Sequence, residues 1–285
     1  MNTVGSTYQN FIKDLETHYE PDEARAVTSM VFEQVAGLSR IDITIKSDQF
    51  FESSDLDKLK RMLTELKTGK PIQYITGYTW FLGNKIFVNE NVLIPRRETE
   101  ELVDWIVRDI KSSPKIIVDY CTGSGCIAIA LKKIFPDAQV IGIDISEKAL
   151  EVASGNASIN SVNVEWIQSD LLSVRTDIKA DLIVSNPPYV LNNERKSMPD
   201  RVKKFEPAKA LFVPDNDPLI FYRQISKLAL KYCPVGAMIY YEINEVMGKE
   251  ISDLHSQLGY TDYILKKDMQ EKDRFFKASL PALSL

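Results

Sequence analysis

At 285 residues the chain is longer than the ~100 to 200 residues of a typical single domain, and its 44 % hydrophobic content can fill sizeable cores. Its 35 Lys and Arg against 40 Asp and Glu give a formal net charge of -5, which argues against stable nucleic-acid binding, since a duplex is gripped by a basic face. The N-terminus is neither basic-apolar nor Arg-rich, no stretch reaches the ~18 apolar residues of a membrane span, and Cys121, Cys126 and Cys233 lack zinc spacing, so a cytoplasmic protein with reduced thiols and no membrane or metal is expected.

Helical spacing runs through residues 6–68 without strand alternation, first in Tyr8, Phe11, Ile12 and Leu15, then in Ala26, Met30, Val31 and Val35. Pro21-Asp22 reads as the start of the second helix. A last helix from Asp55 carries Leu59, Met62, Leu63 and Leu66 on one side and closes at Gly69 and Pro71. Residues 1–72 are thus expected to be a small bundle of four or five helices. Residues 73–94 alternate aromatic and polar positions around Gly77 and Gly83-Asn84, which predicts a β-hairpin turning at Gly83-Asn84 and joining the bundle to a second domain, 95–285.

That second domain alternates strands with helices: helix 98–110, strand 116–119, helix 125–134, strand 139–144, helix 146–159, strand 162–168 and strand 181–185. Helix 217–231, strand 237–243, helix 246–258 and strands 261–267 and 273–279 follow. The last two strands succeed one another without a helix, so one of them must run antiparallel in an otherwise parallel sheet. The class is α/β. Residues 191–214 lack periodicity, carry Arg195, Lys196, Arg201, Lys203 and Lys204, and are expected to act as a lid, with Glu206 accepting nearby N–H groups.

The chemistry-bearing residues gather at strand ends. Asp119, then Cys121-Thr122-Gly123-Ser124-Gly125, form a strand, glycine loop and helix start. Gly123 suits a tight turn, Gly125 a close ligand approach, and the first helix N–H groups are expected to face the ligand. A helix-start setting also predicts a lowered thiol pKa at Cys126. Ala128 stands where a dinucleotide fingerprint has its third glycine, and a carboxylate at Asp119 would repel a pyrophosphate but suit a cationic amino acid moiety, such as that of S-adenosylmethionine. Asp144, about twenty residues after the loop, suits a ribose diol. Ser146 is the expected cap of the next helix, and Asp170 can accept from an adenine amine. Each acid alone equally suits an ordinary turn or cap; three at successive strand ends of one sheet point to a ligand.

The fourth strand delivers Ser185-Asn186-Pro187-Pro188-Tyr189. Asn186 offers a side-chain carbonyl and Pro187 a backbone carbonyl without an N–H, so two acceptors can converge on a planar NH2. Holding both hydrogens localises the nitrogen lone pair toward an incoming methyl group, which is transition-state stabilisation. Pro188 biases Pro187 to extended geometry and fixes the acceptors' direction. A tight strand-exit turn is the alternative reading of the same tetrapeptide. Glu242, ending a strand near this edge, is a further candidate acid.

Together with Gln73-Tyr74-Ile75-Thr76-Gly77, Phe81-Leu82-Gly83, Leu93-Ile94-Pro95-Arg96-Arg97-Glu98-Thr99-Glu100, Glu206 to Phe212 and Asp217 to Tyr222, these motifs resemble the peptide chain release factor glutamine methyltransferases over nearly the whole chain. The Asn-Pro-Pro-Tyr junction alone is shared with adenine-methylating DNA enzymes; the flanking blocks are the specific part. The resemblance implies a class I S-adenosylmethionine-dependent methyltransferase, with a Rossmann-like, mostly parallel seven-stranded sheet containing one antiparallel strand. It implies methyl transfer to the side-chain nitrogen N5 of the glutamine in the Gly-Gly-Gln motif of release factors, which the helical bundle would recognise. It also implies catalytic roles for Asn186, Pro187 and Tyr189. Cofactor contacts would come from Asp119, Thr122, Gly123, Ser124, Gly125, Asp144, Ile145, Asp170, Leu171 and Asn186, and substrate contacts from Asn186, Pro187, Pro188, Tyr189, Arg96, Glu98, Thr99 and Glu206. The chain departs from the family's usual wording at Tyr120-Cys121, Arg97 and Val190, none of which removes a ligand group.

Overall fold

The computed structural model describes residues 2–173 and 177–281. The chain forms two compact units, Met1–Gly77 with Pro199–Phe205, and Tyr78–Met198 with Glu206–Leu285.

The first unit contains α1 (Val4–Leu15), α2 (Pro21–Ala36), α3 (Arg40–Ile45), α4 (Ser53–Lys67) and α5 (Ile72–Thr76). Thr3 opens α1 with a reciprocal cap, its hydroxyl accepting from Ser6 N at 3.2 Å while Ser6 Oγ accepts from Thr3 N at 3.1 Å. Pro21 takes the first position of α2, where a missing N–H costs nothing. Phe32 is the hub of the core, meeting Tyr8, Phe11 and Phe51 edge-on with ring centroids 5.1, 5.8 and 5.6 Å away. The buried stripe of α2 is Ala24, Val27, Thr28, Val31 and Phe32, so the expected stripe is shifted: Ala26 and Met30 are exposed. The shift seats the large Phe32 ring in the core at the expense of the flexible Met30, because ring burial removes more apolar surface from water.

The second unit opens with a hairpin, β1 (Tyr78–Phe81) and β2 (Asn84–Phe87). It is shorter than expected: 73–76 belongs to α5, and 88–94 is irregular. The turn is Leu82-Gly83 rather than Gly83-Asn84, because Phe81 pairs with Asn84 and both loop residues take positive φ, 46° and 74°. That two-residue geometry matches the right-handed twist of the strands. The Glu100 carboxylate fixes it by accepting from Leu82 N at 2.7 Å.

Then follow α6 (Arg97–Asp109), β3 (Ile116–Tyr120), α7 (Cys126–Ile134), β4 (Gln139–Asp144), α8 (Glu147–Ile159), β5 (Glu165–Gln168) and β6 (Leu182–Ser185). The stretch expected to be irregular holds β7 (Val190–Leu191), a 3-10 turn Asn192–Lys196, α9 (Asp200–Phe205), α10 (Ala208–Leu211) and β8 (Phe212–Val213), with β7 and β8 paired in parallel. Elements this short show no hydrophobic period, so they escape a periodicity reading. Residues 199–205 cluster with the first unit, where Arg201 pairs with Glu23. The chain ends with α11 (Ile220–Tyr232), β9 (Met238–Glu242), α12 (Gly248–Gln257), β10 (Tyr263–Lys267) and β11 (Asp273–Ser279).

Among the described residues seven strands form one sheet in the order β10-β11-β9-β6-β3-β4-β5. β11 runs antiparallel to both neighbours and the other pairings are parallel, as the missing helix before it requires. β3, β6 and β9 are buried on both faces, which explains their continuous apolar runs. Chain order reverses at β3, with β4 on one side and β6 on the other, so a crevice opens beyond their carboxyl ends.

Candidate active site

The strand ends converge as their sequence positions suggest. In register, Tyr120 of β3 lies opposite Ser185 of β6, and the Ser185 hydroxyl donates to Tyr120 O at 2.6 Å, tying the two strand ends together. Beside them opens a cavity of about 550 Å³ lined by Thr122, Gly123, Ser124, Asp144, Ile145, Asp170, Leu171, Asn186, Pro188, Arg96 and Thr99 among others. All of these are residues expected at the site. Pro187, Tyr189, Asp119, Gly125, Glu98 and Glu206 are not part of the lining.

Asp119 stands behind the wall, fully buried. Its Oδ2 accepts from Thr122 Oγ1 at 2.5 Å and from Ala128 N at 3.2 Å, while Oδ1 is buried without a partner. Burial pushes this carboxyl up to about 7, and the nearby Asp144 charge pushes the same way. Two N–H groups of this stretch serve the acids: Gly123 N donates to Asp144 Oδ2 at 2.9 Å, and Ala128 N of α7 donates to Asp119 Oδ2. Ser146 N donates to Asp144 Oδ1 at 2.9 Å, and the Ser146 hydroxyl caps α8 through Ala149 N. Asp170 Oδ1 accepts from Leu172 N at 2.9 Å.

Packing requires a glycine at 125. Its φ is 77°, and a Cβ there would lie 2.8 Å from the Trp166 ring and 3.0 Å from Ala153 Cβ, so the glycine permits α7, α8 and β5 to close behind the loop. Cys121 sits at φ 60°, in the left-handed region that a residue with a Cβ disfavours. The expected lowering at Cys126 is reversed: burial raises that thiol to about 12, overriding the helix start.

On the β6 side Asn186 Nδ2 donates to Thr99 Oγ1 at 3.2 Å, and Thr99 Oγ1 donates to Glu242 Oε2 at 2.6 Å. The other oxygen, Glu242 Oε1, accepts from Tyr189 OH at 3.0 Å, and Asn244 Nδ2 donates to Tyr189 O at 3.2 Å. Burial raises the Glu242 carboxyl, opposed by its two hydroxyl donors and by the Arg274 charge. Burial, joined by the Glu242 charge, raises the Tyr189 phenol well above its ordinary value. Glu206 behaves as expected, its Oε2 accepting from Ile94 N at 3.3 Å and its Oε1 from Arg96 Nη2 at 2.5 Å, which fixes Arg96 at the cavity wall.

Sequence reasoning missed several contributors. Glu90 to Leu93, Pro207 to Ala210, Phe212 and Phe221 line the cavity. Buried Asn156 of α8 accepts from Phe87 N at 2.7 Å and donates to Phe87 O and Ser124 O, both at 2.9 Å, tying the hairpin to the glycine loop. One signal was available: an Asn on the inner face of an otherwise Ala- and Leu-lined helix needs buried partners.

Residues 99–208 match the family model described as the methyltransferase small domain, and residues 7–77 match the PrmC N-terminal domain. A release factor glutamine methyltransferase from Flavobacterium psychrophilum is 41% identical over 274 residues, covering 94% of this chain and 96% of that protein. One from Bacteroides thetaiotaomicron is 37% identical, covering 98% of this chain and 100% of that protein. The chain belongs to the release factor glutamine methyltransferase family. Among solved structures a methyltransferase from Pyrococcus furiosus shares the fold, with a TM-score of 0.51 at 15% identity, covering 81% of this chain and all of that one.

As in class I members generally, the cofactor is S-adenosylmethionine, and the cavity of this family member fits it. Behind the cavity wall the Asp119 Oδ1 is a buried acceptor without a partner, a polar group of the kind a bound ligand's donor can satisfy. Asp144 lines the cavity, and its oxygens, held by backbone N–H groups that include those of Gly123 and Ser146, keep acceptor capacity for a diol. The wall between them is otherwise mostly apolar, as Tyr120, Ile127, Ile143, Ile145 and Leu171 show. Among the described residues no group of His, Cys, Asp and Glu is arranged to hold a metal ion, and no helix is long and apolar enough to cross a membrane.

Proposed function

We propose that this chain transfers the methyl group of S-adenosylmethionine to N5 of the glutamine in the Gly-Gly-Gln motif of peptide chain release factors, in the cytoplasm. The observation that carries the reading is the setting of Asn186. It lines the cavity, and its amide NH2 is already engaged by Thr99, which leaves Oδ1 as the acceptor for a substrate N–H. The adjoining Pro187 contributes a carbonyl with no competing N–H, so the pair suits a primary carboxamide's two hydrogens.

When bound, S-adenosylmethionine supplies an electrophilic methyl carbon. The chain's residues hold the carboxamide and exclude water. Asn186 and Pro187 draw the amide hydrogens, which localises the nitrogen lone pair and favours the transition state over the ground state. Tyr189 is held by Glu242 and Asn244 and shapes the slot. It is no general base, because burial keeps its phenol protonated. The nitrogen proton, made acidic by methylation, passes to water or a carbonyl. Residues 1–72 seat the release factor, a role supported by exposed Ile41, Ile45 and Phe50 on the helical unit. Residues 73–94 lead into the catalytic part, 95–285.

The decisive experiment incubates the protein with methyl-labelled S-adenosylmethionine and, in parallel, a release factor, its Gly-Gly-Gln Gln→Ala variant, and duplex DNA. Label on the intact release factor alone is expected. Label on the Gln→Ala variant or on DNA overturns the proposal.

A further inference from the structure

We propose that Thr99 and Glu242 are positioning residues that set which end of the Asn186 amide faces the substrate. The inference rests on the proposed glutamine methylation and adds to it the group that makes the Asn186 acceptor face correct.

An asparagine amide is nearly symmetric in shape, and turning it over exchanges an acceptor for a donor. In one orientation Oδ1 accepts a substrate N–H. In the other the Asn186 NH2 meets the substrate NH2, donor against donor, and the lone pair is not localised. Something outside the amide must choose between them.

The choice traces back to Glu242. Its carboxylate is acceptor-only and lies buried at the end of β9, with a hydroxyl on each oxygen: Thr99 at 2.6 Å and Tyr189 at 3.0 Å. Each hydroxyl has one proton, and each donates it to Glu242. Thr99 Oγ1 has then no proton left and can only accept from its next neighbour. That neighbour, 3.2 Å away, is the Asn186 amide, which must present Nδ2. Oδ1 consequently takes the opposite side. Polarity is thus transmitted through two hydrogen bonds from β9, through the first turn of α6, to the loop after β6.

The same carboxylate orients Tyr189, so both polar side chains of the Asn-Pro-Pro-Tyr junction answer to one acid. Thr99 and Glu242 are nearly inaccessible, which shields the relay from competing water. Thr99 borders the cavity, yet its hydroxyl is engaged on both sides by protein groups, so its contribution runs through Asn186.

The test compares Thr99→Val, which keeps the shape and deletes the hydroxyl, with Thr99→Ser, which keeps the hydroxyl. For Thr99→Val, kcat is expected to fall by about 10- to 100-fold, less than the ~100- to 1,000-fold of deleting a preorganised contact outright because Asn186 itself remains, with cofactor Kd and melting temperature close to wild type. Thr99→Ser is expected to restore kcat to within about threefold of wild type. A second readout needs no turnover: in free protein labelled with 15N-asparagine, the Asn186 side-chain NH2 resonances should be shielded from solvent exchange in wild type and Thr99→Ser, and lose that protection in Thr99→Val. Unchanged kcat in Thr99→Val overturns the inference. So does equal impairment of Thr99→Ser, or an Asn186 NH2 signal indifferent to the hydroxyl. A wild-type protein that leaves the release factor unlabelled defeats the methylation reading instead, and the resonance comparison then still decides the relay.

Discussion

Asn156→Ala gives the sharpest probe of how the cofactor loop is held. The side chain is 1% exposed and makes three hydrogen bonds of 2.7 to 2.9 Å, two to Phe87 and one to Ser124 O. It pairs with Phe87 as a neighbouring strand would, exchanging both an N–H and a carbonyl bond. At about 1 kcal/mol net each, plus the ~1 to 3 kcal/mol desolvation cost of leaving the buried Ser124 carbonyl unpaired, truncation should cost about 4 to 6 kcal/mol. That is a large part of the ~5 to 15 kcal/mol that holds a typical domain. Because the chain has two units, one global denaturation curve is not a clean measure, and residue-level amide exchange is preferred. The Phe87 amide should exchange at least about 100-fold faster, since every 1.4 kcal/mol is about tenfold. Cofactor affinity should fall as well, because Ser124 and Gly123 line the cavity. Wild-type protection at Phe87 together with an unshifted urea transition of the second unit would refute the accounting.

Three further outcomes are expected. Asn186→Ala should leave cofactor binding near normal and raise the methyl-transfer barrier by about 2 to 4 kcal/mol, measured by single-turnover transfer; transfer at the wild-type rate contradicts the assigned role. Gly125→Ala combines the strain of a positive φ with a Cβ 2.8 Å from Trp166, and overpacking plus strain should destabilise the second unit by about 2 to 5 kcal/mol in urea titrations, an unmoved midpoint counting against it. His255 is buried against Ser226 and Ile251 O, and burial lowers its pKa from 6.5 to about 4. The folded state keeps it neutral while the unfolded chain protonates first, so its contribution is full above about 6.5 and is lost as pH falls toward 4, by about 3 kcal/mol. His255→Gln, though less stable at pH 7.5, should lose correspondingly less stability on acidification to pH 4.5, and parallel curves would exclude the imidazole as the source.

Much of the catalytic unit was legible because its strands are buried on both faces and its helices are amphipathic, so the period changes cleanly from one to the other. β4 and β11 fall at the expected residues, and the antiparallel last strand followed from the absence of a connecting helix. The helical unit was harder. Its helices are evident, but the register of α2 was misjudged because alanine and methionine at 26 and 30 mimic an inner stripe. The hairpin turn slipped by one residue because Leu82 accepts a positive φ that the sequence gives no reason to expect, with Glu100 eighteen positions away supplying the bond that fixes it.

From residues alone came the carboxylates at successive strand ends, the glycine loop and the paired acceptors at Asn186 and Pro187, since each is a matter of local chain order. Which atoms those groups present was decided only in three dimensions. Glu242 follows Thr99 by 143 positions, Asn156 follows Phe87 by 69, and Cys126 gains its raised pKa from surroundings no neighbour in sequence supplies. A one-dimensional pattern records the period of burial; the direction of a hydrogen bond and the dielectric around a charge depend on groups that only folding brings within reach.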